Sequence, residues 1–196
     1  MDGIILINKE KGITSFGVVS KVRKIFDTKK VGHCGTLDPN ATGVLPVMIG
    51  KATKISKYLV EHDKEYVATI KFGIKTDTGD SDGNIIIEDK FRLDKTNEKE
   101  YLSRISELVG KQMQLPPMYS AIKINGKKLY EYAREGKEIE RSARKIEIYS
   151  IIVEKIDYEN NEITIKVACS KGTYIRTLCE LIAEKFGTVR IYERIK

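Results

Sequence analysis

The apolar positions divide this chain into short strands and isolated helices. Ile4-Ile5-Leu6-Ile7, closed by Asn8-Lys9, predicts a buried strand. Gly12-Ile13-Thr14-Ser15 turns the chain. Val18, Val19, Val22, Ile25 and Phe26 then recur at helical spacing, with Ser15 as the predicted N-cap. Lys21, Arg23 and Lys24 read as that helix's solvated face. Val44 to Ile49 is a short apolar run interrupted by Pro46, and Thr53 is placed to cap a short helix through Leu59. Glu65 to Phe72 alternates, which puts Tyr66, Ala68, Ile70 and Phe72 on one face of a strand. Ile85 to Ile87 predicts another strand. Asn97, with Glu100 three residues on, predicts a capped helix bearing Leu102, Ile105, Leu108 and Val109, ended by Gly110. The prolines keep Leu115 to Ala121 extended. Ile146 to Ile156 and Glu162 to Cys169 are strands joined by the polar turn Glu159-Asn160-Asn161. A last helix carries Leu178, Leu181, Ile182 and Phe186 inward, with Tyr174 and Arg176 at its first turn. Strands separated by isolated helices agree with an α+β class.

Composition narrows the classes. The chain has 196 residues, 41% hydrophobic and 32% charged, which suits a globular protein with one good core. A net charge of +7 favours an anionic partner. Cys34, Cys169 and Cys179 form no C-x-x-C pair, so neither a disulfide framework nor a zinc spacing is predicted, and a reducing cytoplasm fits. The apolar opening is too short for a signal peptide or a membrane span. Between Gly43 and Gly50 the spacing is wrong for a phosphate loop. Thr76 to Gly83 lacks the ligand pattern of a calcium loop.

The chemistry concentrates in residues 32–46, Gly-His-Cys-Gly-Thr-Leu-Asp-Pro-Asn-Ala-Thr-Gly-Val-Leu-Pro, a composition that predicts a shaped loop. Asp38, before Pro39, reads either as a turn initiator or as a carboxylate held stiffly for chemistry. His33 and Cys34 are adjacent in sequence, so they do not make a hydrolase pair. A second concentration lies between Lys123 and Lys145. There eight Lys/Arg face four Glu, a surplus of four, with Tyr130 and Tyr132 among them. That segment reads equally as an exposed charged hairpin or as a surface for RNA backbone and bases.

The loop resembles the catalytic motif G-H-x-G-x-L-D-P-x-A-x-G-x-L-P of the TruB family of tRNA pseudouridine synthases, with Cys34 where Thr is usual. Leu6 to Ser15 is similar to that family's first motif, with Glu10 in place of Pro. Tyr66 matches its K-x-Y motif, Ser170 to Leu178 its K-G-T-Y-I-R-[ST]-L motif, and Thr76 to Gly83 its acidic turn. Met118 to Arg134 is close to its thumb insertion. The likeness runs over roughly residues 4–188, while 189–196 do not align with the strand that follows in the family.

The resemblance implies a pseudouridine synthase fold: one catalytic domain over 1–196, a mixed, largely antiparallel sheet and a basic thumb at about 115–145. The small C-terminal RNA-binding domain of bacterial members is expected to be absent. The implied activity is isomerisation of uridine 55 in the T loop of tRNA, by a monomer, with no metal or organic cofactor and no membrane. Asp38 is implied as the catalytic group, either attacking the sugar or removing its C2′ proton. Tyr66, Tyr174 and Arg176 are implied as active-site support, Arg176 as the carboxylate's charge partner. The implied RNA contacts are His33, Lys9, Lys54, Asp80, Lys127, Lys128, Arg141 and Arg144. A non-catalytic RNA-binding module of the same fold is the alternative.

Overall fold

The computed structural model describes residues 1–59, 62–78 and 83–195. The chain resolves into two compact units, Met1–Asp63 with Arg194–Lys196, and Lys64–Glu193. No helix among the described residues is long and apolar enough to cross a membrane.

The first unit contains β1 (Gly3–Lys9), α1 (Ser15–Ile25), β2 (Val31–His33), β3 (Gly43–Ile49), a 3-10 turn (Gly50–Ile55) and the short α2 (Ser56–Leu59). Its antiparallel sheet runs β1-β3-β2. β1 is not the fully buried strand its apolar run predicts. It alternates, with Ile5 and Ile7 on the core and Ile4 and Leu6 exposed. The core gathers Val18, Val19 and Val22 of α1 with Val31, Leu45, Val47 and Ile49; Phe26 and Leu37 pack beside it, and Ile25 is exposed.

Thr14, not Ser15, caps α1, its hydroxyl accepting from Gly17 N at 2.9 Å. Both ends of the predicted loop are strands, which leaves residues 34–42 as the true loop. Pro46 is tolerated in the central strand for a geometric reason. Its carbonyl accepts from Cys34 N at 3.0 Å, so its missing N–H points to the same side, where β2 has already ended at His33.

The second unit contains β4 (Lys64–Phe72), β5 (Ile74–Thr76), β6 (Ile85–Glu88), α3 (Glu98–Ser106), β7 (Gly110–Gln114), β8 (Lys123–Ile124), β9 (Lys127–Lys128), α4 (Leu129–Arg134), β10 (Arg144–Asp157), β11 (Glu162–Cys169), α5 (Ile175–Phe186) and most of β12 (Arg190–Ile195). The main sheet has the order β12-β4-β11-β10-β7, with β4, β11, β10 and β7 joined antiparallel. One face buries Ala68, Ile70, Ile163, Ile165, Val167 and Ile148; Leu178 and Ile182 of α5, which packs on β4, are equally buried. Phe186 stacks on Phe72 at 5.3 Å and meets Tyr101 of α3 at 4.7 Å. The other face is polar, with a Thr69–Thr164 hydrogen bond and a Lys166–Glu65 ion pair, as in an antiparallel sheet with one wet side.

One expectation changes in this unit. Asp94 supplies the cap before α3 that the sequence predicts at Asn97, accepting from Thr96 N at 2.8 Å. Ile85 to Ile87 do form a strand, but all three are exposed. Cys169 and Cys179 are core residues, and burial pushes the Cys179 thiol up to about 11.

Candidate active site

Asp38 lies half-buried in the loop between β2 and β3, and its position is set by its backbone neighbours. The Asp38 carbonyl accepts from Ala41 N at 3.0 Å, so the Asp-Pro sequence does build a turn. The residue before it is held twice by one side chain. The buried Ser15 hydroxyl donates to Leu37 O at 3.1 Å and accepts from Leu37 N at 3.0 Å, while the Leu37 side chain packs on the core. The residue after it is also held twice. Pro39 O accepts from Gly12 N at 2.9 Å and from Lys9 Nζ at 3.0 Å. Gly12 reaches that position at φ +85°, a conformation that favours glycine.

Lys9 therefore takes a different place from the RNA contact expected of it. It is 1% exposed, and its ammonium donates to the carbonyls of Glu10, Ile13 and Pro39. Burial drives its pKa below the ordinary lysine value, and the Asp38 carboxylate pulls it partly back. A buried cation saturated by carbonyls ties β1, the turn after it and the Asp38 loop into one body. His33 ends β2 and donates from Nδ1 to Gly35 O, which sets its tautomer on that nitrogen. Lys54 is exposed on the 3-10 turn.

The remaining expected site residues belong to the second unit. Tyr66 lies on β4 opposite Val167. Tyr174 is the residue before α5, and its backbone is read by one side chain as Leu37 is. The buried Gln114 amide donates to Tyr174 O at 3.1 Å and accepts from Tyr174 N at 2.8 Å. Arg176, in the first turn of α5, is buried, and its Nη1 donates to Thr78 O at 3.2 Å. The fully buried Arg190 donates from Nη2 to Arg176 O and pairs with Glu180 at 3.3 Å, so the C-terminal segment supports this turn. Asp80 lies outside the described residues.

The thumb segment forms the β8–β9 hairpin and α4. It is anchored more firmly than its sequence suggests, because Leu129 is fully buried and its N–H donates to Ile122 O at 2.8 Å. Its cations are partly engaged. Lys127 pairs with Glu135 and lies over the Tyr132 ring. Arg141 pairs with Glu138 at 2.8 Å and donates to Pro116 O. Lys128 and Arg134 both lie over Tyr130, and Arg144 is exposed.

Sequence reasoning does not mark Ser15 or Gln114 as site residues. The available signal for Ser15 is the adjacent pair Thr14-Ser15: one hydroxyl suffices for the cap, so the other has a different partner. Gln114 carries no comparable mark.

A model of the TruB family pseudouridylate synthase N-terminal domain matches residues 23–175. The chain belongs to the TruB family. Among curated members, tRNA pseudouridine synthase B of Hydrogenovibrio crunogenus is 50% identical over 190 residues, 96% of this chain and 61% of that protein. The protein of the same name from Limosilactobacillus reuteri is 49% identical over 191 residues, 95% of this chain and 63% of that protein. The chain thus spans somewhat under two thirds of the length of these TruB relatives.

Solved structures carry the same fold. In a crystal structure of a Cbf5-Nop10-Gar1 complex, one chain aligns with a TM-score of 0.73 at 30% identity, covering 98% of this chain and 47% of that one. A structure of an H/ACA RNP bound to a substrate RNA containing 2′-deoxyuridine aligns at 0.70 and 26% identity, covering 98% and 45%. The α+β pseudouridine synthase fold expected of the sequence is the fold of this TruB chain.

Proposed function

We propose that this TruB chain isomerises uridine 55 in the T loop of tRNA to pseudouridine, with Asp38 as the catalytic group. The observation that carries the reading is the double clamp on the Asp38 loop. Ser15 fixes Leu37, and Lys9 with Gly12 fixes Pro39, so the carboxylate is preorganised. The family and the names of its relatives support the same reading.

The reaction moves the glycosidic bond from N1 to C5 of the uracil. The N1–C1′ bond breaks, the base turns, a C5–C1′ bond forms, C5 loses a proton and N1 gains one. Atoms and electrons balance within the nucleotide, so the chemistry calls for no metal or organic cofactor. Asp38 serves either by adding to C1′ or by taking the C2′ proton. We assign Tyr66 to stacking on the detached uracil and assisting loss of the C5 proton. Tyr174 is assigned to shaping the pocket, and Arg176 to pairing with the catalytic carboxylate. The target base must leave its stack first, at a cost of a few kcal/mol, and His33 is assigned to the space it vacates. In this reading residues 1–196 are one catalytic domain. It works as a monomer on the T stem-loop in a reducing cytoplasm, with Lys54 and the thumb along the RNA.

The test is incubation of the chain with a T-stem-loop RNA, followed by mapping of pseudouridine. Wild type should convert uridine 55 of the T loop. Asp38→Ala should convert none while binding RNA within about tenfold, because a group acting on the transition state contributes little to ground-state affinity. Conversion by Asp38→Ala at a comparable rate would remove Asp38 from the mechanism.

A further inference from the structure

On the outer face of α1, Phe16 is 61% exposed, although its neighbour Ser15 is buried and bonded to the loop residue beside Asp38. Helical spacing puts residues 16, 20, 23 and 24 on one side of α1. The Arg23 guanidinium lies 5.5 Å from the Phe16 ring centroid, and its Nη2 donates to Val31 O at 3.2 Å, so it is held over one face of the ring. Lys24 is exposed beside it, and α1 contains no acidic residue. Among the described residues neither Lys21 nor Lys24 forms an ion pair. This differs from the thumb, where Lys127 and Arg141 are already paired.

We propose that Phe16 and Arg23 form a stacking platform for an unpaired nucleobase of the RNA, next to the one the active site takes. The inference rests on the pseudouridine synthase reading and adds a base-binding site to it. An aromatic ring has no sequence preference, since every base has a π-face, and a guanidinium fixed over the far side strengthens the stack through cation–π attraction. Lys24 and the other cations of α1 supply the charge complement to phosphate. The place suits the chemistry. Extracting one base from a folded loop leaves its neighbours without a stacking partner, and Phe16 sits one residue from the clamp on the catalytic loop.

The chain contains no tryptophan, so a tryptophan introduced at one position reports that position alone. Phe16→Trp keeps an aromatic platform. Ile25→Trp puts the same reporter at a 74% exposed position on the opposite side of α1. Titration with a T-stem-loop RNA should quench the indole emission of the Phe16→Trp variant and leave that of the Ile25→Trp variant unchanged. Phe16→Ala should weaken RNA binding by about tenfold, the scale of one stacked base, while Phe16→Tyr binds like wild type.

Wild type that fails to bind the RNA overturns the proposed function and this inference together. Wild type that binds, with the Phe16→Trp emission unquenched by the same RNA, overturns this inference alone. So does a Phe16→Ala variant that binds within about twofold of wild type.

Discussion

Removing the Ser15 hydroxyl tests the clamp directly. Ser15→Ala deletes the hydrogen bonds at 3.0 and 3.1 Å that occupy both backbone groups of Leu37. The site is buried, so water does not readily replace them. Two polar groups left without partners cost roughly 1–3 kcal/mol each, and the half-buried state of Leu37 favours the low end, for a total of about 2 kcal/mol. The loss should stay local, because Thr14 still caps α1. A loop that drifts by about 1 Å misplaces the Asp38 carboxylate, and such a displacement costs on the order of a hundredfold in rate.

Three measurements separate this from an ordinary helix-cap effect. Amide exchange should accelerate at Leu37 and remain slow at Gly17. The single-turnover rate on a T-stem-loop should fall about 10- to 100-fold, with the RNA dissociation constant within about threefold. Thr14→Ala should do the reverse, costing about 1 kcal/mol in urea unfolding while the rate is preserved. Ser15→Ala with native Leu37 protection and a normal rate would refute the clamp. Equal behaviour of the two variants would reduce Ser15 to the cap residue its sequence position suggests.

The remaining predictions use other parts of the molecule. Replacing Lys127, Lys128, Arg141 and Arg144 by Gln should flatten the salt dependence of RNA binding by roughly one to two log units per log salt. Four phosphate contacts would give about three, but Lys127 and Arg141 already have carboxylate partners; a flattening of about three units would show that RNA displaces both. Tyr66→Phe should bind RNA normally yet stall before product release, and full turnover would leave the ring with stacking alone. Asp89 accepts from Thr188 Oγ1, Phe91 N and Val189 N. Burial would raise its pKa, but these bonds and the charge of Arg92 outweigh it and leave it below the ordinary aspartate value. A depressed carboxylate contributes stability above its unfolded pKa, near 3.8, and loses it as pH falls through the lower folded value. Asp89→Asn should therefore be less stable by about 1 kcal/mol at neutral pH, screening allowed for, with the gap closing as the pH falls below 3.8; a gap independent of pH would mean that packing, not charge, sets it.

The residues that are legible in the sequence are those whose burial follows a period. β11 falls where it is predicted, Glu162 to Cys169, because inward and outward positions alternate without a break. α5 is marked by its inward stripe. β1 misleads because four apolar residues in a row imply two buried faces, while the sheet has a core on one side only. β2 and β3 are hidden by glycine and by Pro46, whose cost vanishes only because a neighbouring strand stops one residue early. β7 escapes notice because Gly-Lys-Gln-Met-Gln reads as polar, and only its place at the edge of the main sheet makes that composition acceptable.

The site is legible at Asp38 through a long motif, yet what holds Asp38 is not. In each unit, a single polar side chain reads both the N–H and the C=O of one residue: Ser15 for Leu37, Gln114 for Tyr174. A group that must change charge or partner during a reaction is a poor anchor for its own backbone, since each chemical step would disturb its position. Fixing the backbone at its flank or at its own amide assigns the positioning to groups that do not react. Such clamps need one buried polar residue each and leave no periodic trace, because a lone Ser after a Thr, or a Gln ending an edge strand, is consistent with many local roles. The buried ammonium of Lys9 extends the same logic to charge. Anchored by three carbonyls, it holds a positive potential that the Asp38 carboxylate feels, so part of the loop's electrostatics is set by a cation that RNA binding does not have to move.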